Sequence, residues 1–180
     1  MAGNAFIQFN TYDGTFPLGE SEEKGHEGTN GWIEIADWDW DVTSDSSSGK
    51  GTGSSVGKAV SEGFNFSHFY DKSSPTLMSM IVMGKNFESV TIDMLKQIGS
   101  GKPELFLQIT ARDVFITKAN TKGQEDGTVT QEVSFSFKQV ALGYKKQDDN
   151  DQGKLSAAKF ARWNVSEQTE DTPKIKLQIK

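Results

Sequence analysis

The amino-acid sequence predicts a mainly β fold, either a single β-barrel or two packed antiparallel sheets, with one short α-helix at about residues 74–84. Apolar residues recur at every second position through much of the 180-residue chain, and this period places them on one face of a strand. In places the alternation slips by one residue, for example between Phe137 and Val140. Because a β-bulge inserts one residue and bends its strand, these slips favour a curved sheet or barrel.

The predicted strands follow one another along most of the chain. The clearest rows begin at residues 64, 105 and 129, where aromatic or aliphatic side chains occupy alternate positions. The predicted set, about nine or ten strands in all, covers residues 5–10, 33–42, 64–70, 89–94, 105–111, 113–119, 129–142 and 174–178.

Only one segment carries the signals of a helix. Ser73 and Ser74 offer N-cap hydroxyls, and Pro75 fits the first helical turn, where its missing N–H costs nothing. Gly84 follows the last apolar position and ends the predicted helix. The apolar stripe consists of Leu77, Met78, Ile81 and Val82. We expect this helix to cover one end of a barrel or one face of a sheet.

Three segments rich in Gly, Ser, Asp or Lys are predicted as loops, at residues 11–31, 43–57 and 147–158. The second is longer than most connections inside a compact domain, and such loops are usually functional or disordered. Residues 1–165 are predicted to form one domain, because this length suffices for a buried core and no linker or repeat divides the chain.

Composition narrows the possible functions. The formal net charge is −6, and an acidic chain repels the phosphates that a nucleic-acid-binding protein must neutralise. Without cysteine the chain has no disulfide or thiolate site, which agrees with synthesis in a reducing cytoplasm. Neither a signal peptide nor a run of about 18 apolar residues is present. We therefore expect a soluble protein with no membrane insertion, exported by another machine if it is exported.

The sequence contains no complete catalytic or cofactor-binding motif. His68 lies in an alternating strand row and is predicted to be packed or at a rim, whereas His26 lies in a charged loop and is predicted to be solvated. A P-loop would need Ser or Thr where Ala59 stands. An EF-hand beginning at Asp148 would need Glu where Lys159 stands. No catalytic residue, metal site or cofactor is predicted.

One predicted strand carries a row of acidic side chains that needs an explanation. Asp37, Asp39 and Asp41 alternate with Trp38 and Trp40, so one face of this strand is aromatic and the other carries three like charges. A solvated outer face explains this pattern better than acid–base catalysis does. The row could also line a water-filled passage.

These segments, taken in order, resemble the Hcp proteins that form the tube of bacterial type VI secretion systems. The resemblance covers roughly residues 1–165. The residues that carry it are Gly19, Glu20, Ser21, His26, Trp32, Trp38, Trp40, Asp71, Lys72, Ser74, Pro75 and Trp163.

The resemblance implies a non-enzymatic β-barrel of two sheets that associates head-to-tail into hexameric rings. The rings would stack into a hollow tube inside a contractile sheath, next to a baseplate and a VgrG spike, and be ejected with effector proteins in the lumen. It makes Asp37, Asp39 and Asp41 candidates for the lumen wall. The long loop becomes a candidate assembly arm, through Ser46, Ser47, Ser48, Gly49, Lys50, Gly51 and Thr52.

Residues 166–180 form an extension that the resemblance does not explain. Ile175, Leu177 and Ile179 alternate there, which fits an extra strand, but a solvated tail is equally consistent. Two other functions stay open. One is the tail tube of a related phage-like contractile particle, and the other is a β-sandwich binding module or hydrolase that uses the acidic strand.

Overall fold

A computed structural model describes residues 4–47, 55–97, 102–147, 155–172 and 175–179. Within these ranges the chain forms nine strands, one α-helix and a short 3-10 turn at Gly28–Asn30. The elements in chain order are β1 (Ala5–Asn10), β2 (Trp32–Glu34), β3 (Asp37–Ser47), β4 (Ser55–Phe69), α1 (Ser74–Val82), β5 (Phe87–Gln97), β6 (Pro103–Gly123), β7 (Val129–Ser136), β8 (Gln139–Tyr144) and β9 (Lys159–Asn164). The predicted mainly β fold with one short helix is confirmed.

Two antiparallel sheets share the long strand β6. The first sheet has the order β2-β1-β5-β6-β8-β9 and the second has the order β6-β7-β4-β3. Strand β6 passes from one sheet to the other near Asp113, whose φ of 53° is unusual for a residue other than glycine. Residues 105–111 and 113–119, predicted as separate strands, are therefore one bent strand.

An aromatic core lies between the two sheets. Phe9, Phe64 and Phe135 are each at most 1% exposed. The rings of Phe64 and Phe135 stack at 5.1 Å, and those of Phe9 and Phe87 lie 4.9 Å apart. Pairs at these distances add about 0.5–1.5 kcal/mol each to the free energy gained from burial. The alternating rows of the sequence identified these core positions because every second side chain points inward.

The slips in the alternation have a different cause from the predicted one. Strand β2 ends at Glu34 and β3 begins at Asp37, while β7 ends at Ser136 and β8 begins at Gln139. At both places the chain leaves one sheet and enters the other. The alternation of inward-facing and outward-facing side chains therefore begins again in the new strand. The register shifts within strands lie elsewhere, at Trp40/Val42, Ser44/Ser46, Met94/Leu95 and Ile116/Lys118.

The predicted loop at residues 43–57 is wrong at both of its ends, because residues 43–47 belong to β3 and residues 55–57 to β4, which pair with each other; residues 48–54 lie outside the described residues. Thr43 pairs with Val60, and Ser47 pairs with Ser55. Residues 42–47 and 55–60 are called the hairpin arm below. Strand pairing requires only backbone groups, so this Ser- and Gly-rich segment extends the ladder despite its low β propensity. Of the candidate assembly residues, Ser46 and Ser47 lie in β3, whereas Ser48, Gly49, Lys50, Gly51 and Thr52 lie outside the described residues.

Helix α1 is slightly shorter than predicted and buries a different stripe. It ends at Val82, ahead of Gly84 with its φ of 60°. The Ser73 hydroxyl does not cap the helix; instead the backbone N–H of Ser73 donates to Asp71 Oδ1 at 2.9 Å. Leu77 and Met80 are buried in the core. Met78, Ile81 and Val82 of the predicted stripe are exposed.

Residues 175–179 form no strand, and they are not solvated either. Ile175 and Ile179 are each 3% exposed. The backbone N–H groups of Gln178 and Ile179 donate to Gln108 Oε1 at 2.6 and 3.2 Å. Ile179 occupies space that a side chain at Gly143 would fill, since an added Cβ would lie 2.4 Å from Ile179 Cγ2. Within the described residues 175–179 the tail is therefore neither the extra strand nor the solvated segment that the sequence allowed: Ile175 and Ile179 are buried, and Gln108 holds the backbone of Gln178 and Ile179.

Candidate functional site

The outer face of the second sheet carries the acidic row. Trp38 and Trp40 point inward, where the Trp38 ring stacks on Phe64 at 5.4 Å. Asp37 and Asp39 point outward and are exposed. The predicted division of β3 into an aromatic and an acidic face is thus found in the structure, and it arises from the strand period of two.

Strand register arranges the outer face into rows that cross the sheet. Asp39 lies opposite Asn65, which lies opposite Ser134, which lies opposite Lys118. The Asn65 side-chain amide donates to Asp39 Oδ2 at 2.9 Å. The next row contains Asp37, Ser67, Glu132 and Asn120. Together the two rows form part of a shallow, mostly polar concavity of about 470 Å³.

This concavity carries charge of both signs, whereas the sequence pattern indicated only the aspartates of β3. Lys118 Nζ lies 3.7 Å from Glu132 Oε2, and Lys122 also pairs with Glu132. The hydrogen bond from Lys122 holds the pKa of Glu132 below its usual value. The exposed aspartates of β3 and the lysines of β6 therefore lie on the two opposite edge strands of the second sheet. Asp41 lies at the register shift of β3 and does not line the concavity.

Both edges of the second sheet lack a second strand partner within the described residues. Strand β3 pairs only with β4, and residues 115–123 of β6 pair only with β7. Neighbouring strands alternate in direction, so these two edges run antiparallel to each other. An edge strand presents unpaired backbone N–H and C=O groups that can bind another strand.

His26 is not the solvated loop residue that the sequence predicted. Its Nε2 lies 3.0 Å from Asp93 Oδ2, and the two side chains are 12% and 5% exposed. The imidazole stacks on Phe6 at 4.9 Å and contacts the edge of Trp32 at 4.4 Å. Gln108 Nε2 donates to the other carboxylate oxygen of Asp93 at 2.7 Å. One buried polar network therefore joins the first-turn loop to the residue that anchors the tail.

Gly19 and Ser21 hold the same loop against the first sheet. The N–H of Gly19 donates to the carbonyl of Gly28 at 3.1 Å, and the N–H of Gly28 donates to that of Ser21 at 2.7 Å. Ser21 is 7% exposed, whereas Glu20 is exposed. A Cβ at Gly19 would lie 2.1 Å from the carbonyl oxygen of Trp32. In this chain Gly19 and Ser21 therefore hold the loop by close packing and backbone hydrogen bonds.

The second motif fixes the turn from β4 into α1. His68 is buried as predicted, with Nε2 3.1 Å from Gln131 Oε1 and Nδ1 3.8 Å from Asp71. Burial lowers the pKa of His68 below its ordinary value, while the charge of Asp71 acts in the opposite direction. Ser74 is buried, whereas Lys72 and Pro75 are exposed. The closing motif residue, Trp163, packs half-buried against the core.

In the described parts of the chain, no three His, Asp or Glu side chains converge as ligands for a metal ion. Over the same ranges, no helix has the length and apolar character needed to span a membrane.

Comparisons with known proteins agree on one family. The family model described as "Type VI secretion system effector, Hcp" matches residues 6–144. "Protein hcp1" of Pseudomonas aeruginosa is 29% identical over 148 residues, which cover 82% of this chain and 88% of that protein. A solved structure of a type six secretion system protein superposes with a TM-score of 0.81 at 23% identity, over 94% of this chain and all of the other. The crystal structure of Hcp1 from Salmonella typhimurium gives 0.69 at 25% identity, over 95% and 100%.

Proposed function

The chain belongs to the Hcp family of type VI secretion systems, and on that premise we propose that it is a non-enzymatic subunit of the inner tube that forms stacked hexameric rings. The observation that carries this proposal is the pair of open, antiparallel edges of the second sheet. A subunit that offers two different complementary surfaces can associate head-to-tail, and such a contact gives a ring when the rotation between neighbouring subunits closes.

The two edges are suited to each other in direction. If β6 of a second copy lies beside β3, the antiparallel alternation of the sheet continues from one subunit to the next. The side chains of Asp37 and Asp39 on β3, and of Lys118 and Lys122 on β6, line the concave outer face. The contact between the edges would therefore be made by backbone N–H and C=O groups.

In such a ring the concave outer face of the second sheet would line the lumen, with Asp37 and Asp39 on the wall and Asp41 beside it. A hydrated wall of mixed charge presents no extended apolar patch to hold a cargo protein, so effectors could bind and be released. The first sheet, with its tail, would face outward toward a contractile sheath. Residues 1–165 would form the tube domain and residues 166–180 its extension.

The hairpin arm is the candidate for contact between stacked rings, because it extends beyond the two-sheet core. A tube of this kind would also contact a baseplate and a VgrG spike. We propose synthesis in the bacterial cytoplasm and release into the medium or a target cell through the secretion machine. Neither nucleic acid nor an inserted membrane segment has a part in this function.

No observation favours the enzymatic alternative. His26 and His68 are engaged with Asp93 and Gln131, and neither lines the concavity that contains Asp37 and Asp39. A phage-like contractile particle would use the same ring-forming surfaces, and the family match favours the type VI system instead.

The Asp39→Arg variant tests the lumen assignment. We expect the ring to form with unchanged mass, because the Asp39 side chain points away from the core. Retention of a fluorescent Lys-rich peptide at low salt should fall severalfold, and retention of a Glu-rich peptide should rise. The measurement is gel filtration of rings mixed with each peptide. Glu20→Arg, an exposed site in the loop that packs beside the first sheet, is the matched control and should change neither retention. Dissociation of the ring by Asp39→Arg would place Asp39 in a subunit interface instead.

A further inference from the structure

Helix α1 and the residue that follows it expose an apolar ridge to solvent. Met78, Val82 and Met83 are 55%, 76% and 56% exposed, and Ile81 is 37% exposed. Residues 78, 81 and 82 are spaced by three and four, so they lie on one side of the helix. A cluster of this kind on a soluble protein usually marks a contact surface.

An apolar groove lies between the base of the hairpin arm and strands β8 and β9. One wall consists of Trp40, Val42 and Ala59, and the other is formed by β8 and β9 with Leu142 and Ala161. Its volume is about 380 Å³, which is enough to receive several aliphatic side chains.

The ridge and the groove lie toward opposite edges of the second sheet. Trp40 and Val42 of the groove belong to β3, which is one edge strand. Helix α1 packs on β6, whose residues 115–123 form the other edge. A head-to-tail contact between β3 and β6 of two copies would therefore bring the ridge of one copy toward the groove of the other.

Charged side chains flank both surfaces. Exposed Lys72 precedes α1 and exposed Lys85 follows it along the chain. Exposed Glu170 and Arg162 line the groove. The guanidinium of Arg162 donates to Thr172 Oγ1 at 3.3 Å and to the carbonyl of Ile175 at 3.2 Å, which holds it against the tail. Glu170 is therefore the side chain of the groove that can face Lys72 or Lys85 of a second copy.

We infer that the apolar ridge of α1 in one copy docks into the groove beneath the hairpin arm of the next copy in the ring. This inference rests on the proposed ring and adds its principal apolar contact. The two methionines suit such a contact, because their flexible side chains adapt to an irregular groove. The edge strands set the direction of assembly, and the ridge supplies the buried apolar surface.

Cysteine cross-linking tests the contact directly, because the chain has no cysteine of its own. The double variant Val82→Cys, Ala161→Cys, oxidised after ring formation, should give a ladder of covalent species up to six chains on a non-reducing gel. The control Val82→Cys, Lys176→Cys places the second thiol on the tail and should give no ladder. A ladder in the control of equal strength, or rings that give no ladder in the test variant, overturns the inference.

A second variant separates this inference from the proposed function. Val82→Glu should weaken ring formation about tenfold or more, because a carboxylate would be buried in the groove. The urea midpoint of the subunit should stay the same, since Val82 is 76% exposed. Leu18→Glu, at a site 51% exposed in the first-turn loop, should leave the rings intact. Rings unaffected by Val82→Glu refute the docking contact alone, whereas absence of rings in the parent protein refutes the proposed function and the docking with it.

Discussion

Replacing Gly19 with alanine is expected to lower the free energy of unfolding by about 3 kcal/mol, the upper part of the range for overpacking. An added Cβ would lie 2.1 Å from the carbonyl oxygen of Trp32 and 2.8 Å from its carbonyl carbon. Both atoms belong to the backbone of β2, which pairs with β1. They cannot move aside without disturbing that ladder, so the loop or the strand must be displaced.

Gly123→Ala is the matched control for this substitution. No atom lies within 4 Å of a Cβ at Gly123, and its φ lies outside the left-handed region. Urea unfolding followed by tryptophan fluorescence measures both variants. We expect a clear loss for Gly19→Ala and a change within about 0.5 kcal/mol for Gly123→Ala, as for ordinary surface substitutions. Equal midpoints would mean that the first-turn loop does not hold the conformation described.

Replacing His26 with leucine should cost about 3 kcal/mol, the upper part of the range for leaving a buried polar group without its hydrogen-bond partner. Asp93 is 4% exposed and would keep only the hydrogen bond from Gln108. Its second oxygen would face the apolar surface of Phe6 and leucine. A buried carboxylate without its partner is more costly than a missing contact between apolar groups.

The double variant His26→Leu, Asp93→Leu tests this explanation against simple loss of packing. Removing both partners eliminates the buried charge, so the double variant should recover much of the stability lost by His26→Leu alone. Unfolding midpoints of the two single variants and the double variant give the coupling. If the losses simply add, the pair between His26 and Asp93 contributes nothing specific, and the network is not a stabilising feature.

The sequence predicted those parts of the fold that depend on inward-facing side chains. The rows around Phe64 and Phe135 gave both the strands and the core, because strand period and burial act on the same residues. The position of α1 followed from Pro75 and Gly84. The face of β3 that carries Asp37 and Asp39 followed from the same alternation.

The features that the sequence did not reveal depend on contacts between distant segments. Ser- and Gly-rich residues at the hairpin arm extend a ladder through backbone groups alone. His26 finds its partner 67 positions away in Asp93, and the tail is anchored by Gln108 rather than by a strand. The ridge of α1 was missed for a similar reason. Its spacing indicated an apolar stripe, but only the packing of Leu77 and Met80 shows which side of the helix remains exposed.

The mass and shape of the native protein test the central claim most directly. A ring of six chains of 19.8 kDa has a mass of about 119 kDa. Light scattering after gel filtration should give this mass over a wide concentration range, and negative-stain microscopy should show annular particles with sixfold symmetry. A monomer of 19.8 kDa at every concentration, with no annular particles, would contradict the assignment of this chain as a tube subunit.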